Sequence, residues 1–116
     1  MAEKPIRYGM VVSLKPDKAA EYKKLHEAVW PGVIDKITDC NIKNYSIYFK
    51  EIQDGTMLLF SYFEYYGDDF KSDMAKMAAD PLTQDWWSHC VPCMEPVPNS
   101  AEGELWANMQ EVFHME

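Results

Sequence analysis

The stretch Asn41-Ile42-Lys43-Asn44-Tyr45-Ser46-Ile47-Tyr48-Phe49-Lys50, then Gln53-Asp54-Gly55-Thr56, then Met57-Leu58-Leu59-Phe60-Ser61-Tyr62-Phe63-Glu64-Tyr65, decides the fold. Both flanks are rich in the β-branched and aromatic residues that fit a pleated surface, and Asp-Gly between them is the usual tight-hairpin signal. In the first flank Ile42, Asn44, Ser46 and Tyr48 alternate with Lys43, Tyr45, Ile47 and Phe49. Neither set is uniformly polar, so both faces of this strand read as covered. The returning strand, dense in Leu, Phe and Tyr, reads the same way.

Upstream, Ile6 to Leu14 is a strand with Tyr8, Met10, Val12 and Leu14 on one face. Pro16-Asp17 opens a helix, with Asp17 as N-terminal cap or first-turn acid. From Ala20 to about Asp39 the spacing is helical: Leu25, Val29, Val33 and Ile37 form an apolar row, with Tyr22, His26 and Trp30 beside it. Pro31 lies inside this pattern and predicts a kink or restart. Downstream, Gly67-Asp68-Asp69 ends the hairpin, and Phe70, Met74 and Met77 mark a helix. Asp80-Pro81 interrupts, and a short helix from Leu82 to about Cys90 carries Trp86-Trp87. Val91 to Gly103, with Pro92, Pro96 and Pro98, reads as a long ordered arm, neither strand nor helix. Asn108 to His114 alternates as a last strand. The order βαββαβ predicts an α+β, ferredoxin-like fold: one antiparallel sheet with helices on one face. The sheet's other face is left bare, and a second copy is the simplest cover, which predicts a homodimer.

The 116 residues are read as a single domain, 1–116, large enough for its own core. With 19 acidic against 11 basic residues, the net charge of −8 argues against nucleic acid and anionic membrane partners. Met1-Ala2-Glu3-Lys4-Pro5 leads into an apolar run too short for a signal-peptide core or a membrane span. Cys40, Cys90 and Cys93 are an odd set, read as free thiols in a reducing cytoplasm.

Three constellations carry chemistry. Tyr22, His26 and Trp30, four apart, put a phenol, an imidazole and an indole on one helix face at the edge of the core row. Such a set suits proton transfer beside an apolar wall. Trp86 and Trp87 point about 100° apart on a helix, so one packs inward while the other lines a cleft, where indoles stack on the C–H face of a sugar. Tyr45 and Tyr48 have opposite parity on a strand, so one of them can share that cleft, and spacing leaves the choice open. His89-Cys90-Val91-Pro92-Cys93 has C-x-x-C spacing. Its first cysteine ends a helix instead of opening one, and no second ligand pair accompanies it, so neither redox nor zinc chemistry is predicted. There is no Gly-rich phosphate loop, nucleophile elbow or glycosidase carboxylate pair.

Taken together, Glu21-Tyr22-x-x-x-His26-x-x-x-Trp30-Pro31, Asn44-Tyr45-Ser46-Ile47-Tyr48, Trp86-Trp87 and Gln110-Glu111-Val112-Phe113 resemble the L-rhamnose mutarotase family over nearly the whole chain. The resemblance implies a dimeric α/β barrel and an isomerase that interconverts α and β anomers of L-rhamnose without metal or cofactor. It implies that His26 donates a proton, that Tyr22 and Tyr45 contact the substrate, and that Trp86 and Trp87 form the sugar site. The segment Tyr66 to Asp85 is longer and more acidic than the family pattern, and His89, Cys90 and Cys93 are not family fixtures. Three other readings stay open: an L-fucose mutarotase, a cofactor-free oxygenase on the same barrel, and a non-catalytic sugar- or haem-binding module.

Overall fold

A computed structural model describes residues 4–116, so the lead-in Met1–Glu3 lies outside the described residues. Strand β1 (Ile6–Leu14) runs antiparallel to β3 (Thr56–Tyr65) along its full length, from Ile6 opposite Tyr65 to Leu14 opposite Met57. Strand β2 (Ile42–Gln53) flanks β3 on the other side, and Asp54-Gly55 closes the hairpin with Gly55 at φ +79°. The free edge of β1 takes two short strands, β4 (Met94–Glu95) and β5 (Ala107–Met109), giving the order β2-β3-β1-β4 with β5 also on β1. This is the expected antiparallel α+β arrangement, with the two downstream helices separated at Asp80-Pro81 as expected.

Four helices lie on one face: α1 (Ala19–His26), α2 (Pro31–Asp39), α3 (Phe70–Ala78) and α4 (Pro81–Cys90). The helical stretch expected from Ala20 to Asp39, with a kink or restart at Pro31, is two helices, and the second starts at Pro31. Proline drives the residue before it to extended backbone, and Trp30 sits at φ −60°, ψ 129°. Its carbonyl accepts from Val33 N at 2.9 Å and starts α2, with Pro31 in the first turn, where a missing N–H costs nothing. Of the two roles expected of Asp17, it is the first-turn acid and not the cap: it lies in a 3-10 turn, Pro16–Lys18, and α1 begins without a side-chain cap. Asp69 and Asp80 do cap, accepting from Ser72 N at 3.1 Å and Thr83 N at 3.0 Å.

Two further expectations need correction. The Val91 to Gly103 arm begins with a 3-10 turn, Val91–Cys93, and the two-residue β4; Lys15 N bonds the Cys93 carbonyl at 2.8 Å and ties it to the end of β1. The last strand is paired only over Ala107–Met109, and Gln110 to His114 continues without a ladder. Its start is held by a two-pronged bond from Arg7 to Glu111, at 2.8 and 3.1 Å.

The strict alternation expected in β2 also fails. A register irregularity lies between Lys43 and Ser46, and Asn44 takes φ +51°, which asparagine tolerates better than most residues. The extra residue resets parity, so Ile42 and, past the bulge, Ile47 both face the helices. Val12, Leu14, Leu59 and Val33 centre one buried cluster, and Cys40, Ile42, Phe63, Tyr65 and Met77 a second. Each such buried aliphatic or Met side chain is worth about 1.5–3 kcal/mol. The opposite sheet face carries Val11, Leu58, Phe60, Tyr62, Tyr48 and Met109, and none of these belongs to either cluster.

A polar knot fastens the second cluster. The Tyr65 hydroxyl donates to Asp73 Oδ2 and accepts from Asp69 N at 3.1 Å, while Asn41 Nδ2 also donates to Asp73 Oδ2, at 3.1 Å. Gly67 passes so close that a Cβ there would collide with both the Tyr65 hydroxyl and Asp73 Oδ2. We expect Gly67→Ala to lower stability by about 1–3 kcal/mol in urea unfolding, since overpacking forces the knot apart. A variant as stable as the wild type would contradict this packing.

Candidate active site

Helix α1 brings Tyr22 and His26 together, one turn apart. Their rings stack with centroids 4.2 Å apart and planes at 26°. His26 Nδ1 lies 2.9 Å from the Tyr22 carbonyl oxygen. A carbonyl only accepts, so Nδ1 carries the hydrogen and the neutral ring offers its lone pair at Nε2. Tyr22 is not at the edge of the core, as its row position suggested; it is a member of the first buried cluster at 4% exposure. His26 is half-buried beside it.

Helix α4, fixed by the Asp80 cap and by the buried Thr83 hydroxyl donating to Asp80 Oδ2 at 2.8 Å, delivers Trp86. Its ring stands edge-on to His26 at 5.2 Å and to Trp30 at 5.1 Å. Trp30, off α1 and at the start of α2, also packs edge-on to His89 at 5.7 Å. Trp86 is buried whereas Trp87, the next residue round the helix, is exposed, so the pair divides into an inner wall and an outer rim.

The bulge at Asn44 settles which tyrosine faces this side. Tyr45 turns to the helix layer, its ring 5.5 Å from Phe63, while Tyr48 lies on the opposite face, 64% exposed. Much of the Tyr45 ring is open to solvent, but its hydroxyl end is desolvated, and that burial pushes its pKa up to about 12. Burial raises Tyr22 further still, and charge on Tyr45, Cys90 or Cys93 would add to the effect. Both phenols are therefore neutral at physiological pH. The hydroxyls of Tyr62, Tyr65 and Tyr66 are spent on Glu64 and Asp73, whereas those of Tyr22 and Tyr45 have no partner among the described residues.

Two features escaped the sequence reading. Cys90 and Cys93 are buried under the aromatic group, and the Cys93 thiol donates to Glu21 Oε2 and to the His89 carbonyl, both at 3.5 Å. Burial pushes the Cys90 thiol up to about 12 and raises Cys93 as well, the reverse of what a reactive thiolate requires. The second is Lys23, whose Nζ sits 3.8 Å over the Phe49 ring. The contacts Cys93–Glu21 and Lys23–Phe49 join residues far apart in the chain, so no local spacing announces them. A concavity of about 470 Å³ inside the arm Pro96 to Leu105 shares no residue with the aromatic group.

The arrangement holds a lone pair on one nitrogen, two neutral phenols free to bond, and an indole wall. It can move a proton within a small polyol whose one face is apolar.

The L-rhamnose mutarotase family model matches residues 7–115. An L-rhamnose mutarotase from Oceanobacillus iheyensis is 32% identical over 110 residues, covering 95% of this chain and 98% of that relative. The crystal structure of an L-rhamnose mutarotase from Formosa agariphila superposes with a TM-score of 0.70 at 22% identity, covering 96% and 99% of the two chains. A tetracenomycin F2 cyclase from Streptomyces glaucescens superposes at 0.61 with 15% identity, covering 96% and 99%. The two superpositions show the fold alone.

The buried phenols make a prediction about alkaline pH. Their folded-state pKa values lie above the ordinary 10.0, so between about pH 10 and 12 the unfolded chain releases protons that the folded chain keeps. Stability is untouched by them below about pH 10 and falls as pH rises through that window. Urea midpoints measured from pH 8 to 11 should decline less steeply in Tyr22→Phe than in the wild type; parallel declines would contradict it.

Proposed function

This chain belongs to the L-rhamnose mutarotase family, and from that premise we propose that it interconverts the α and β anomers of L-rhamnose. It is an enzyme acting on sugars, and the reaction class we assign is isomerase. His26 Nε2 removes the proton of the anomeric hydroxyl. The bond from C1 to the ring oxygen breaks, an aldehyde forms, and the proton is delivered to the ring oxygen. Rotation about C1–C2 and the reverse steps close the other anomer. Both oxygens are bonded to C1, so a single nitrogen can serve each in turn. Atoms and electrons balance with proton movements alone.

The observation that carries this reading is the bond from His26 Nδ1 to the Tyr22 carbonyl, which leaves Nε2 as the working atom. In this reading His26 is first a base and then, once protonated, the donor that the family resemblance implies. Tyr22 and Tyr45 hold sugar hydroxyls with their unspent phenols. Trp86 and Trp87 face the ring's C–H side and its C6 methyl, which an aromatic wall accepts without leaving a polar group unpaired. We place the reaction in a reducing cytoplasm, in keeping with three buried free thiols. No described helix is long and apolar enough to cross a membrane.

We also propose that the working form is a homodimer. The helix-free sheet face presents Val11, Leu58, Phe60 and Tyr62 with exposed Tyr48 and Met109, and the chain end adds Val112 at 93% and Phe113 at 78% exposure. An apolar surface of that kind is ordinarily covered.

Proton NMR exchange between L-rhamnose anomers tests the activity. His26→Ala should slow it by roughly 10²–10⁴-fold, about 3–5 kcal/mol of barrier. Unchanged exchange would remove His26 from the mechanism, and oxygen consumption would favour an oxygenase. Across L-rhamnose, L-fucose and L-lyxose, the fastest exchange should be with L-rhamnose. Light scattering should find twice 13.5 kDa, and Phe60→Asp should halve it; a monomeric wild type would sink the dimer.

A further inference from the structure

On a helical wheel, successive residues turn by about 100°, so His26 lies about 40° from Tyr22 and Lys23 about 60° beyond His26 on the same side. Leu25, by the same count, lies about 60° to the other side of Tyr22 and packs against the core. Lys23 therefore projects on the flank of α1 that carries His26, away from the buried flank. Across from this flank stands β2. After the Asn44 bulge its helix-facing residues are Tyr45, Ile47 and Phe49, with Ile47 packed against the cluster that contains Tyr22 and Trp86. Tyr45 and Phe49 thus bracket the strand side, and Lys23 reaches over to the Phe49 end with its Nζ 3.8 Å above the ring.

We propose that Lys23, held on the Phe49 ring, is a further substrate-positioning group, donating hydrogen bonds to the hydroxyls of a neutral monosaccharide at the rim opposite Tyr45. This rests on the reading that the sugar binds between α1 and β2. Among the described residues Lys23 makes no ion pair, in a chain with excess acid, so its three donors are unspent. Its rest position on an aromatic face already fixes the side chain, which lowers the ordering cost of a new bond. An ammonium offers donors and no acceptor, so it complements the neutral phenols of Tyr22 and Tyr45, which can do either. A positioning group that binds ground and transition states alike affects KM and not kcat.

The test uses the full chain, with anomer exchange followed by NMR and sugar binding followed by tryptophan fluorescence. Lys23 is exposed, so its replacement does not disturb the core. Lys23→Met should raise KM for L-rhamnose roughly tenfold with kcat kept. Lys23→Arg should restore most of it, and Phe49→Leu should raise KM roughly threefold by freeing the ammonium. The binding constant should move with KM. An unchanged KM and binding constant in Lys23→Met would overturn the proposal, and so would a fall in kcat alone. If the wild type binds L-rhamnose without exchanging its anomers, the mutarotase reading fails while the binding arm still decides Lys23. If it binds no sugar, both fall.

Discussion

A single covalent constraint organises the site: proline at position 31 has no amide hydrogen and disfavours helical backbone in the residue before it. Trp30 is forced to extended backbone, the helix that begins at Ala19 stops at His26, and the chain restarts as α2 in another direction. The break has three effects. His26 falls in the last turn of α1 instead of mid-helix. Trp30 is freed to swing onto Trp86. Helix α2 then packs on α4 through Val33, which is 2% exposed in the cluster shared with Trp86. Without the break, Tyr22, His26 and Trp30 would form a simple stripe on one rod; with it, His26 and Trp30 meet Trp86 from two elements, and Tyr22 stacks on His26.

Much of the fold was legible because it follows local rules. Alternation in Ile6 to Leu14 gave the face that β1 buries, Asp54-Gly55 gave the hairpin, and the interruption at Asp80-Pro81 gave the start of α4 within a residue. What escaped was set by distant parts of the chain. Asp17 has the chemistry of a cap, but the chain needs a 3-10 turn first, and Cys93 ties that region down from afar through Lys15. The last strand has the right alternation as far as His114, yet the edge of β1 pairs with it over Ala107–Met109 only.

The candidate site was legible to a similar depth. Spacing found the tyrosine, histidine and tryptophan, and their contacts follow from one helix turn. Spacing could not choose between Tyr45 and Tyr48, because parity counted through a bulge points the wrong way. Nor could it show that the C-x-x-C pair is two neutral thiols packed in the core, since that depends on Glu21 and on burial. The likeness of folds between a mutarotase and a polyketide cyclase makes the same point at the level of families: the scaffold is shared, and the chemistry resides in a few side chains.

The one-residue bulge at Asn44 has a consequence for how this strand can vary. Before it and after it, odd and even positions exchange roles, so the bulge acts as a phase setting for the remainder of β2. Straightening the strand there without losing a residue would send Tyr45 and Phe49 to the bare face and carry Tyr48 to the helix side, while deleting the extra residue would keep all three where they are. Substitutions along β2 are thus felt side chain by side chain, whereas loss of the bulge at constant length is felt at once by the whole wall.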